Sequence, residues 1–256
     1  MKFGLLGEKL SHSYSPLIHN LLFKYKNIDA TYELFEIKEN QIEEYINNLR
    51  NGLVNGYNVT IPYKEKIMKY LDIIDENAKE IGAVNTIYLK DGKVYGTNTD
   101  YFGFIEELKY YNIDVNNKRC FILGTGGASK ACKKALADLN ASYYLVSRKP
   151  SNNEIGYDKL EINANDIIIN TTPVGMYPNV DASPLDFNKA SKAQAIVDII
   201  FNPSVTKLMS YNKNSYNGLM MLLMQAAMSE DIWLNKNYNL DYKKIYNEIK
   251  KVICCE

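Results

Sequence analysis

The chain has few of the features that would place a protein outside the cell or in a membrane. It contains 4 cysteines in 256 residues, and none of them stands in a C-x-x-C pair. Cys254 and Cys255 are adjacent, which is a poor geometry for a structural disulfide. No apolar run approaches the roughly 18 residues of a membrane span, and the first residues become polar too soon for a signal peptide. We therefore expect a protein of the reducing cytoplasm.

An excess of charge of one sign is also missing. The 30 basic residues balance 30 acidic ones, so the formal net charge is zero. A general nucleic-acid binder needs a basic excess to displace counterions, so this class is disfavoured. The 46% hydrophobic and 23% charged residues are typical of a globular protein. The length suits one large domain or two modest ones that need no metal or disulfide, and the two histidines show no ligand spacing.

Strand-like and helix-like segments alternate along the chain, which predicts an α/β fold. A strand at Lys2–Gly7 precedes a helix that should begin with Ser15 as its N-cap and Pro16 in its first turn. Residues 62–71 are predicted to be helical. Asp91-Gly92 between two strand-like segments predicts a β-hairpin with a two-residue turn.

A glycine-rich turn lies between a predicted strand at residues 120–123 and a predicted helix. Its sequence is Gly124-Thr125-Gly126-Gly127-Ala128-Ser129. The first glycine permits a tight turn, and the second lets backbone amides approach a pyrophosphate at the helix N-terminus. Ser129 replaces the usual third glycine, and glycines needed only for turn geometry are the alternative. The position between strand and helix favours a dinucleotide site.

The next predicted strand ends in Ser147-Arg148-Lys149. A site for NAD usually places an acidic residue there, where it binds the ribose 2′-hydroxyl. Two cations and a hydroxyl suit the 2′-phosphate of NADP instead, since an arginine offers phosphate a planar pair of donors. A solvated basic turn is the alternative, and NADP is favoured.

Several polar residues stand at predicted strand ends in the first hundred residues. Taken singly, each has an ordinary explanation. Ser15 could cap a helix, Lys64 could be a surface charge, and Asp100 could cap a helix that begins at Tyr101.

Together, the motifs occur in a characteristic order. They are G-x-x-x-S-H-S-x-S-P-x-x-H-N, N-V-T-x-P-x-K, G-A-V-N-T, N-T-D and G-x-G-G-A-S. The series continues through residues 170–176, through Asp198 with Pro203 and Thr206, and through residues 218–227. Over nearly the whole chain the sequence closely resembles the shikimate dehydrogenases, NADP-dependent enzymes that reduce 3-dehydroshikimate in aromatic amino acid biosynthesis.

This resemblance implies an α/β fold with two domains separated by an active-site cleft. A substrate-binding and catalytic domain would comprise residues 1–100 and 218–256. A Rossmann-like NADP-binding domain would comprise residues 101–217. The implied partners are NADP and shikimate or 3-dehydroshikimate, with no nucleic acid and no membrane, and the protein would be a monomer or a homodimer.

The resemblance also implies roles for individual residues. Lys64 and Asp100 would act at the reacting hydroxyl, and Ser13 and Ser15 would hold the substrate carboxylate. The other implied contacts are Thr60, Asn85 and Gln225 for the substrate ring, Gly124, Thr125, Gly126, Gly127 and Ala128 for the pyrophosphate, Ser147, Arg148 and Lys149 for the 2′-phosphate, and Ile199 and Gly218 near the nicotinamide.

The chain departs from the family pattern at two places. The family usually has N-R-T at the 2′-phosphate turn and a further basic residue where this chain has Asn152. NADP preference should therefore rest on Arg148 and Lys149. Phe201 replaces a tyrosine whose hydroxyl helps to hold the substrate carboxylate in the family, which predicts a rather high KM for shikimate.

Two alternative functions remain compatible with the motifs. A quinate/shikimate dehydrogenase of broader specificity shares the motifs and can use NAD. Arg148 and Lys149 argue against the use of NAD. A non-catalytic NADP-sensing module would have the same fold, but the presence of both Lys64 and Asp100 argues against a non-catalytic role. For the reaction itself, Lys64 either transfers the proton or stabilises charge while a water relays it.

Overall fold

The structure is a computed structural model that describes residues 1–253, so Cys254 and Cys255 lie outside the described residues. It is an α/β fold with two six-stranded sheets. The chain forms two compact units. The first comprises Met1–Phe102 and Leu223–Ile249, and the second comprises Gly103–Leu222 with residues 250–253.

The elements are as follows. The strands and helices of the first 110 residues are β1 (Lys2–Gly7), α1 (Ser15–Lys26), β2 (Thr31–Glu36), α2 (Ile42–Arg50), β3 (Gly56–Val59), β4 (Ile73–Ile74), α3 (Glu76–Ile81), β5 (Thr86–Lys90), β6 (Lys93–Thr97) and α4 (Thr99–Tyr110). The later elements are β7 (Arg119–Leu123), α5 (Gly127–Asp138), β8 (Ser142–Ser147), β9 (Glu154–Gly156), β10 (Ile167–Asn170), α6 (Phe187–Ala190), β11 (Ala195–Asp198), β12 (Ser215–Asn217), α7 (Leu219–Trp233) and α8 (Tyr242–Ile253). Among the described residues, none of these helices has the length and apolar character needed to cross a bilayer.

The limits of the two units differ by a few residues from the predicted domain boundaries. The reason is that three helices continue through those boundaries. Helix α4 begins in the first unit and ends in the second, and helix α7 begins in the second unit and ends in the first. Helix α8, which the prediction places wholly in the substrate-binding domain, begins in the first unit, and its residues 250–253 belong to the second. A change of unit inside a helix leaves no composition signal in the sequence.

The sheet of the first unit is mixed, in the order β2-β1-β3-β5-β6-β4. Strand β1 pairs in parallel with β2 and β3, whereas β3, β5 and β6 pair antiparallel. The predicted hairpin joins β5 to β6. Asp91 and Gly92 have φ values of 51° and 72°, and positive φ at both positions gives a turn whose twist matches that of the strands.

The only tryptophan of the chain lies in the first unit. The indole of Trp233 stacks on Phe3 with 4.7 Å between ring centroids, and its Nε1 donates to the carbonyl of Ile87 at 3.1 Å. Gly56 makes room for it, because a Cβ at that position would lie 2.4 Å from the indole nitrogen. Helix α7 is thereby fixed to the sheet.

The sheet of the second unit has the order β12-β11-β10-β7-β8-β9, and its pairings are all parallel. From β7 the chain proceeds outward to β8 and β9 and then returns to β10 on the other side of β7. The strand order therefore reverses between β7 and β10. In open α/β sheets, ligands bind at the carboxyl ends of the strands next to such a reversal.

Two local predictions were wrong. Residues 62–71 contain only a short 3₁₀ turn at Lys66–Tyr70. The carbonyl of Lys64 accepts from the amide of Val84 at 2.8 Å, and the amide of Met68 donates to Glu65 instead of continuing an α-helix.

The helix predicted to have Ser15 as its N-cap instead begins at Ser15, and Tyr14 occupies the N-cap position without a side-chain cap. The hydroxyl of Ser15 is engaged elsewhere, since it accepts from the hydroxyl of Ser13 at 3.2 Å.

A buried carboxyl group in the second unit connects helices α4 and α7. Oε2 of Glu107 accepts from the amide of Met221, in the first turn of α7, at 2.8 Å. Its Oε1 is buried and has no hydrogen-bond partner among the described residues. Burial, reinforced by the charge of Asp198, raises the pKa of Glu107 to about 8, although the Met221 amide acts in the opposite direction. The group is therefore mostly neutral at pH 7.

This raised pKa predicts a pH dependence of stability. Between pH 4.5 and about 8 the folded chain holds the Glu107 proton and the unfolded chain releases it. This group alone therefore lowers the free energy of unfolding by about 1.4 kcal/mol per pH unit in that range. We expect Glu107→Gln, which is neutral throughout, to remove this slope. Urea unfolding at several pH values measures it.

The matched control is Glu106→Gln, at an exposed residue that pairs with Lys109 on the helix surface. It should leave the slope as in the wild type. Parallel stability curves for wild type and Glu107→Gln would show that Glu107 is ionised in the folded protein and that the raised pKa is wrong.

Candidate active site

Lys64 and Asp100 form an ion pair in the first unit. The Lys64 Nζ lies 2.5 Å from Oδ2 of Asp100, and the two side chains are only 14% and 11% exposed. Withdrawal from water strengthens such a pair. The other oxygen of Asp100 accepts from the side-chain amide of Asn85 at 2.9 Å. The structure thus brings together three residues that the resemblance assigned to the site.

The side chain of Asn85 is itself fixed in orientation. Its Oδ1 accepts from the backbone amide of Thr99 at 2.7 Å, and its Nδ2 also lies 3.0 Å from the Thr99 hydroxyl. The nitrogen of Asn85 is therefore the atom that faces Asp100. Asp100 does not cap helix α4, because the amide of Tyr101 donates to Oδ1 of Asn98 at 3.3 Å.

The two predicted carboxylate-binding serines lie next to one another. The Ser13 hydroxyl donates to the Ser15 hydroxyl, and the Ser15 amide donates to the oxygen of Ser13 at 3.3 Å. Both residues are half-buried. Side chains of this kind, one in the loop before α1 and one in the first turn of α1, can offer hydroxyl donors to an anion.

Thr60 and Gln225 are connected to the Asn85 region by their neighbours. Thr60 directly follows Val59, whose amide donates to the carbonyl of Asn85 at 2.8 Å. The carbonyl of Gln225 accepts from the hydroxyl of Ser229 at 2.8 Å. All seven predicted substrate-binding residues therefore belong to the first unit.

Sequence reasoning missed several buried polar residues around this site. Asn58, Thr86, Thr99 and Ser229 are almost fully buried and hydrogen-bond to one another. The hydroxyl of Ser229 lies 2.9 Å from that of Thr86, which is distant in sequence. The N-V-T motif contains Asn58 and was an available signal, whereas Ser229 on helix α7 gave none.

The glycine turn of the second unit leaves space for a ligand. Gly124 has a φ of +101°, which favours glycine, and a Cβ there would lie 3.0 Å from the side chain of Thr172. Gly126 is the N-cap of α5 and provides no side-chain cap, and the first turn of this helix has no acidic residue. A Cβ at Gly126 would meet nothing within 4 Å. Uncapped amides at a helix N-terminus bind anions, so this turn fits a pyrophosphate.

Two of the predicted 2′-phosphate residues, Arg148 and Lys149, lie in an unusually short connection. Strands β8 and β9 are parallel neighbours, yet only residues 148–153 join them. Parallel strands usually need a crossover of a dozen residues or more. The connection holds itself together, since the amide of Ser151 donates to the Glu154 carboxylate at 3.0 Å. Arg148 and Lys149 therefore lie at the carboxyl end of β8, where a dinucleotide ribose is bound in this type of fold.

Ile199 and Gly218, predicted to lie near the nicotinamide, contact each other. A Cβ at Gly218 would lie 2.2 Å from the carbonyl oxygen of Ile199, so only glycine allows this approach. The segment after β11 is fixed by Asp198, whose carboxylate accepts from the Thr206 hydroxyl at 2.7 Å and from the Ile200 amide at 3.1 Å. Burial raises the pKa of Asp198 to about 6, against these hydrogen bonds.

Comparisons with known proteins agree with the motifs. Residues 5–87 match the family model described as the shikimate dehydrogenase substrate binding domain. The chain is 44% identical over 245 residues to shikimate dehydrogenase (NADP(+)) from Clostridium beijerinckii, which covers 90% of this chain and 91% of the relative.

Solved structures resemble it as well. Shikimate dehydrogenase 1 from Peptoclostridium difficile is 43% identical, with a TM-score of 0.89 over 97% of both chains. Shikimate 5-dehydrogenase from Thermus thermophilus, solved in complex with NADP(H) and shikimate, is 26% identical, with a TM-score of 0.88 over 98% of this chain and 99% of that one. The resemblance drawn from the motifs and the predicted α/β fold are thereby confirmed. The chain belongs to the shikimate dehydrogenase family.

Proposed function

We propose that the chain is an oxidoreductase that interconverts 3-dehydroshikimate and shikimate with NADP. The observation that carries this proposal is the Lys64–Asp100 pair, held by Asn85 in the first unit of a chain that belongs to this family. The curated relative from Clostridium beijerinckii is named for the same reaction with NADP(+).

The chemistry assigns distinct roles to the pair. When bound, NADPH supplies the hydride. The carbonyl oxygen of the substrate then gains negative charge, which the Lys64 ammonium stabilises. Lys64 is also a suitable donor for the proton that this oxygen needs, directly or through a water. Asp100 accepts from both Lys64 and Asn85, and it thereby keeps the ammonium in place.

The remaining first-unit residues bind the substrate in this proposal. Ser13 and Ser15 donate to its carboxylate. Thr60, Asn85 and Gln225 contact the ring substituents. A site that supplies several polar groups to one small ligand discriminates strongly, since an analogue that lacks a group leaves buried partners unpaired.

The second unit holds the cofactor in this proposal. The amides of residues 124–128 bind the pyrophosphate, consistent with the uncapped start of α5 and the space at Gly126. Ser147, Arg148 and Lys149 bind the 2′-phosphate. Ile199 and Gly218 contact the nicotinamide, and the missing Cβ of Gly218 lets its backbone pack closely.

Four rate measurements on the purified chain test the function. Shikimate and quinate are each assayed with NADP and with NAD. Turnover of shikimate with NADP is the expected result. Comparable rates with quinate, or with NAD, would establish the broader quinate/shikimate dehydrogenase. Binding of NADP without turnover of either acid would establish a sensing module and refute catalysis. A cytoplasmic location and a monomeric or homodimeric state stay predictions.

The first prediction from this proposed function concerns Lys64. Lys64→Ala should lower kcat by about 10²–10⁴-fold, the usual contribution of a positioned acid–base group, with a smaller change in KM. The matched control is Lys66→Ala, two residues away, where the lysine is 43% exposed and pairs with Glu39. It should keep wild-type kinetics. A kcat within about threefold of wild type together with a steep rise in KM would make Lys64 a binding residue only.

The second prediction concerns cofactor choice. Arg148 should contribute about 1.5–3 kcal/mol, or roughly 10- to 150-fold in affinity, through a charge-assisted bond to the 2′-phosphate. Arg148→Ala should therefore weaken NADP binding and leave NAD binding nearly unchanged, as measured by titration of both cofactors. Lys192→Ala removes an exposed cation of the same unit and serves as the control. Equal losses for NADP and NAD would contradict the role.

The third prediction concerns Phe201. This half-buried residue lies in the segment that Asp198 fixes through Thr206. Restoring a phenolic donor with Phe201→Tyr should lower the KM for shikimate about two- to tenfold, since one hydrogen bond contributes about 0.5–1.5 kcal/mol. NADP affinity should change little. An unchanged or raised KM would mean that the substrate carboxylate is not held from this position.

A further inference from the structure

A buried side-chain amide at the carboxyl end of β10 lies between the two predicted cofactor segments of the second unit. Asn170 is the last residue of β10 and is fully buried. In the sheet it pairs with Leu123 of β7 on one side and with Asp198 of β11 on the other. Leu123 directly precedes the glycine turn at residues 124–128, and Asp198 directly precedes Ile199. The two segments therefore leave the sheet on either side of Asn170.

On the side of β11, Asn170 makes two hydrogen bonds. Its carbonyl oxygen accepts from the amide of Ile199 at 3.1 Å. Its side-chain Nδ2 donates to Oδ1 of Asp198 at 2.9 Å. The same carboxylate oxygen accepts from the amide of Ile200 at 3.1 Å. Asn170 thus holds the start of the segment after β11 through both its backbone and its side chain.

On the side of β7, the other end of the same amide is engaged. Oδ1 of Asn170 accepts from the backbone amide of Thr172 at 3.1 Å and from its hydroxyl at 2.7 Å. Thr172 borders the glycine turn, since a Cβ at Gly124 would lie 3.0 Å from its Cγ2. The intervening Thr171 donates through its hydroxyl to the carbonyl of Leu123 at 2.7 Å. The residues after β10 are thereby fixed against the start of the turn.

These partners determine which way the Asn170 amide faces. The backbone amide of Thr172 can only donate, so it must face the oxygen of the Asn170 side chain. The carboxylate of Asp198 accepts, so it faces the nitrogen. A flipped amide would set donor against donor and acceptor against acceptor, which is costly in a buried site. The side chain therefore connects the two segments in a single arrangement.

We propose that Asn170 is a positioning residue for the cofactor, which fixes the spacing between the glycine turn and the segment that begins at Ile199. The glycines let the backbone approach the ligand, and Asn170 sets the distance between the two places of approach. A dinucleotide that binds at both places is weakened by an error in spacing, whereas a ligand that reaches only one of them is not. This inference rests on the proposed function, since it takes both segments to bind one NADP molecule. It assigns to Asn170 no contact with the cofactor.

The test is Asn170→Ala in the full-length chain, titrated calorimetrically with NADP and with 2′-phospho-ADP-ribose. The second ligand is NADP without its nicotinamide, so it keeps the pyrophosphate and the 2′-phosphate. The variant removes the side-chain bonds to Asp198 and Thr172, each worth about two- to tenfold. We expect the Kd of NADP to rise about three- to tenfold and the Kd of 2′-phospho-ADP-ribose to stay within about twofold of the wild type.

Kinetics provide a second measure on the same variant. A nicotinamide that is displaced relative to the substrate slows hydride transfer, so kcat with shikimate and NADP should fall about tenfold. The KM for shikimate should stay within about twofold of the wild type, because the predicted substrate-binding residues all belong to the first unit.

A second pair of variants tests the link without removing the Asn170 side chain. Thr172→Val loses the hydroxyl that donates to Asn170 and keeps a methyl group beside Gly124. It should raise the Kd of NADP about threefold without raising that of 2′-phospho-ADP-ribose. Thr172→Ser keeps the hydroxyl and should bind both ligands as the wild type does.

The matched control is Asn212→Ala in the same unit. Asn212 is half-buried, and its side-chain amide donates to the carbonyls of Ala190 and Ala193 at 3.3 and 2.7 Å. Neither alanine belongs to a cofactor segment. The control therefore loses two hydrogen bonds of an asparagine, and it should leave the Kd of both ligands within about twofold of the wild type.

The outcomes separate the two proposals. Equal losses of affinity for NADP and 2′-phospho-ADP-ribose would indicate general damage to the unit and would overturn the positioning role. Unchanged NADP affinity would overturn it as well, and Thr172→Val alone decides if Asn170→Ala does not fold. A wild-type chain that binds NADP without oxidising shikimate overturns the proposed function, while the titrations still decide the role of Asn170. A wild-type chain that does not bind NADP overturns both.

Discussion

The buried side-chain amide of Asn85 is the contact on which the polar interior of the first unit depends. A buried amide that lacks partners costs free energy, so its surroundings must supply both donors and acceptors. The backbone of Thr99 supplies a donor and Asp100 supplies an acceptor. The end of the sheet and the start of helix α4 are thereby held in one arrangement. Networks of this kind specify a unique geometry only when every member is satisfied.

The second unit achieves precision by a different means. Its predicted ligand positions depend on missing side-chain atoms more than on side-chain hydrogen bonds. Gly124 allows a turn with positive φ beside Thr172, and Gly218 allows its backbone to pack on Ile199. A pyrophosphate or a planar ring is recognised by close backbone approach, whereas a small polyhydroxylated acid is recognised by separate donors and acceptors. The two units thus match two chemically different ligands.

The sequence predicted those elements that have a local signal. The Asp91-Gly92 pair predicted the hairpin between β5 and β6, and the glycine run after β7 predicted where helix α5 begins. The 3₁₀ turn at Lys66–Tyr70 could not be predicted from local sequence. The amide that donates to the Lys64 carbonyl belongs to Val84, which is distant in the sequence. The strands β9 and β12, of three residues each, are too short for a periodic pattern.

The candidate site shows the same limit. Lys64, Asn85 and Asp100 follow from motifs, since each stands in a short run with a recognisable spacing. Ser229 does not, because a serine in an apolar helix has an ordinary explanation. Its importance arises from its contacts with Asn58 and Thr86, which are distant in the sequence and which only the folded structure brings together.

The position of Trp233 makes the first unit optically distinct. It is the only indole in 256 residues, and it lies between Phe3 and the carbonyl of Ile87. Fluorescence excited selectively at the indole therefore originates in the first unit alone, while the 21 tyrosines are spread along the chain. A change in its emission reports the packing of α7 against the sheet of the first unit, and loss of order confined to the second unit leaves the indole emission unchanged.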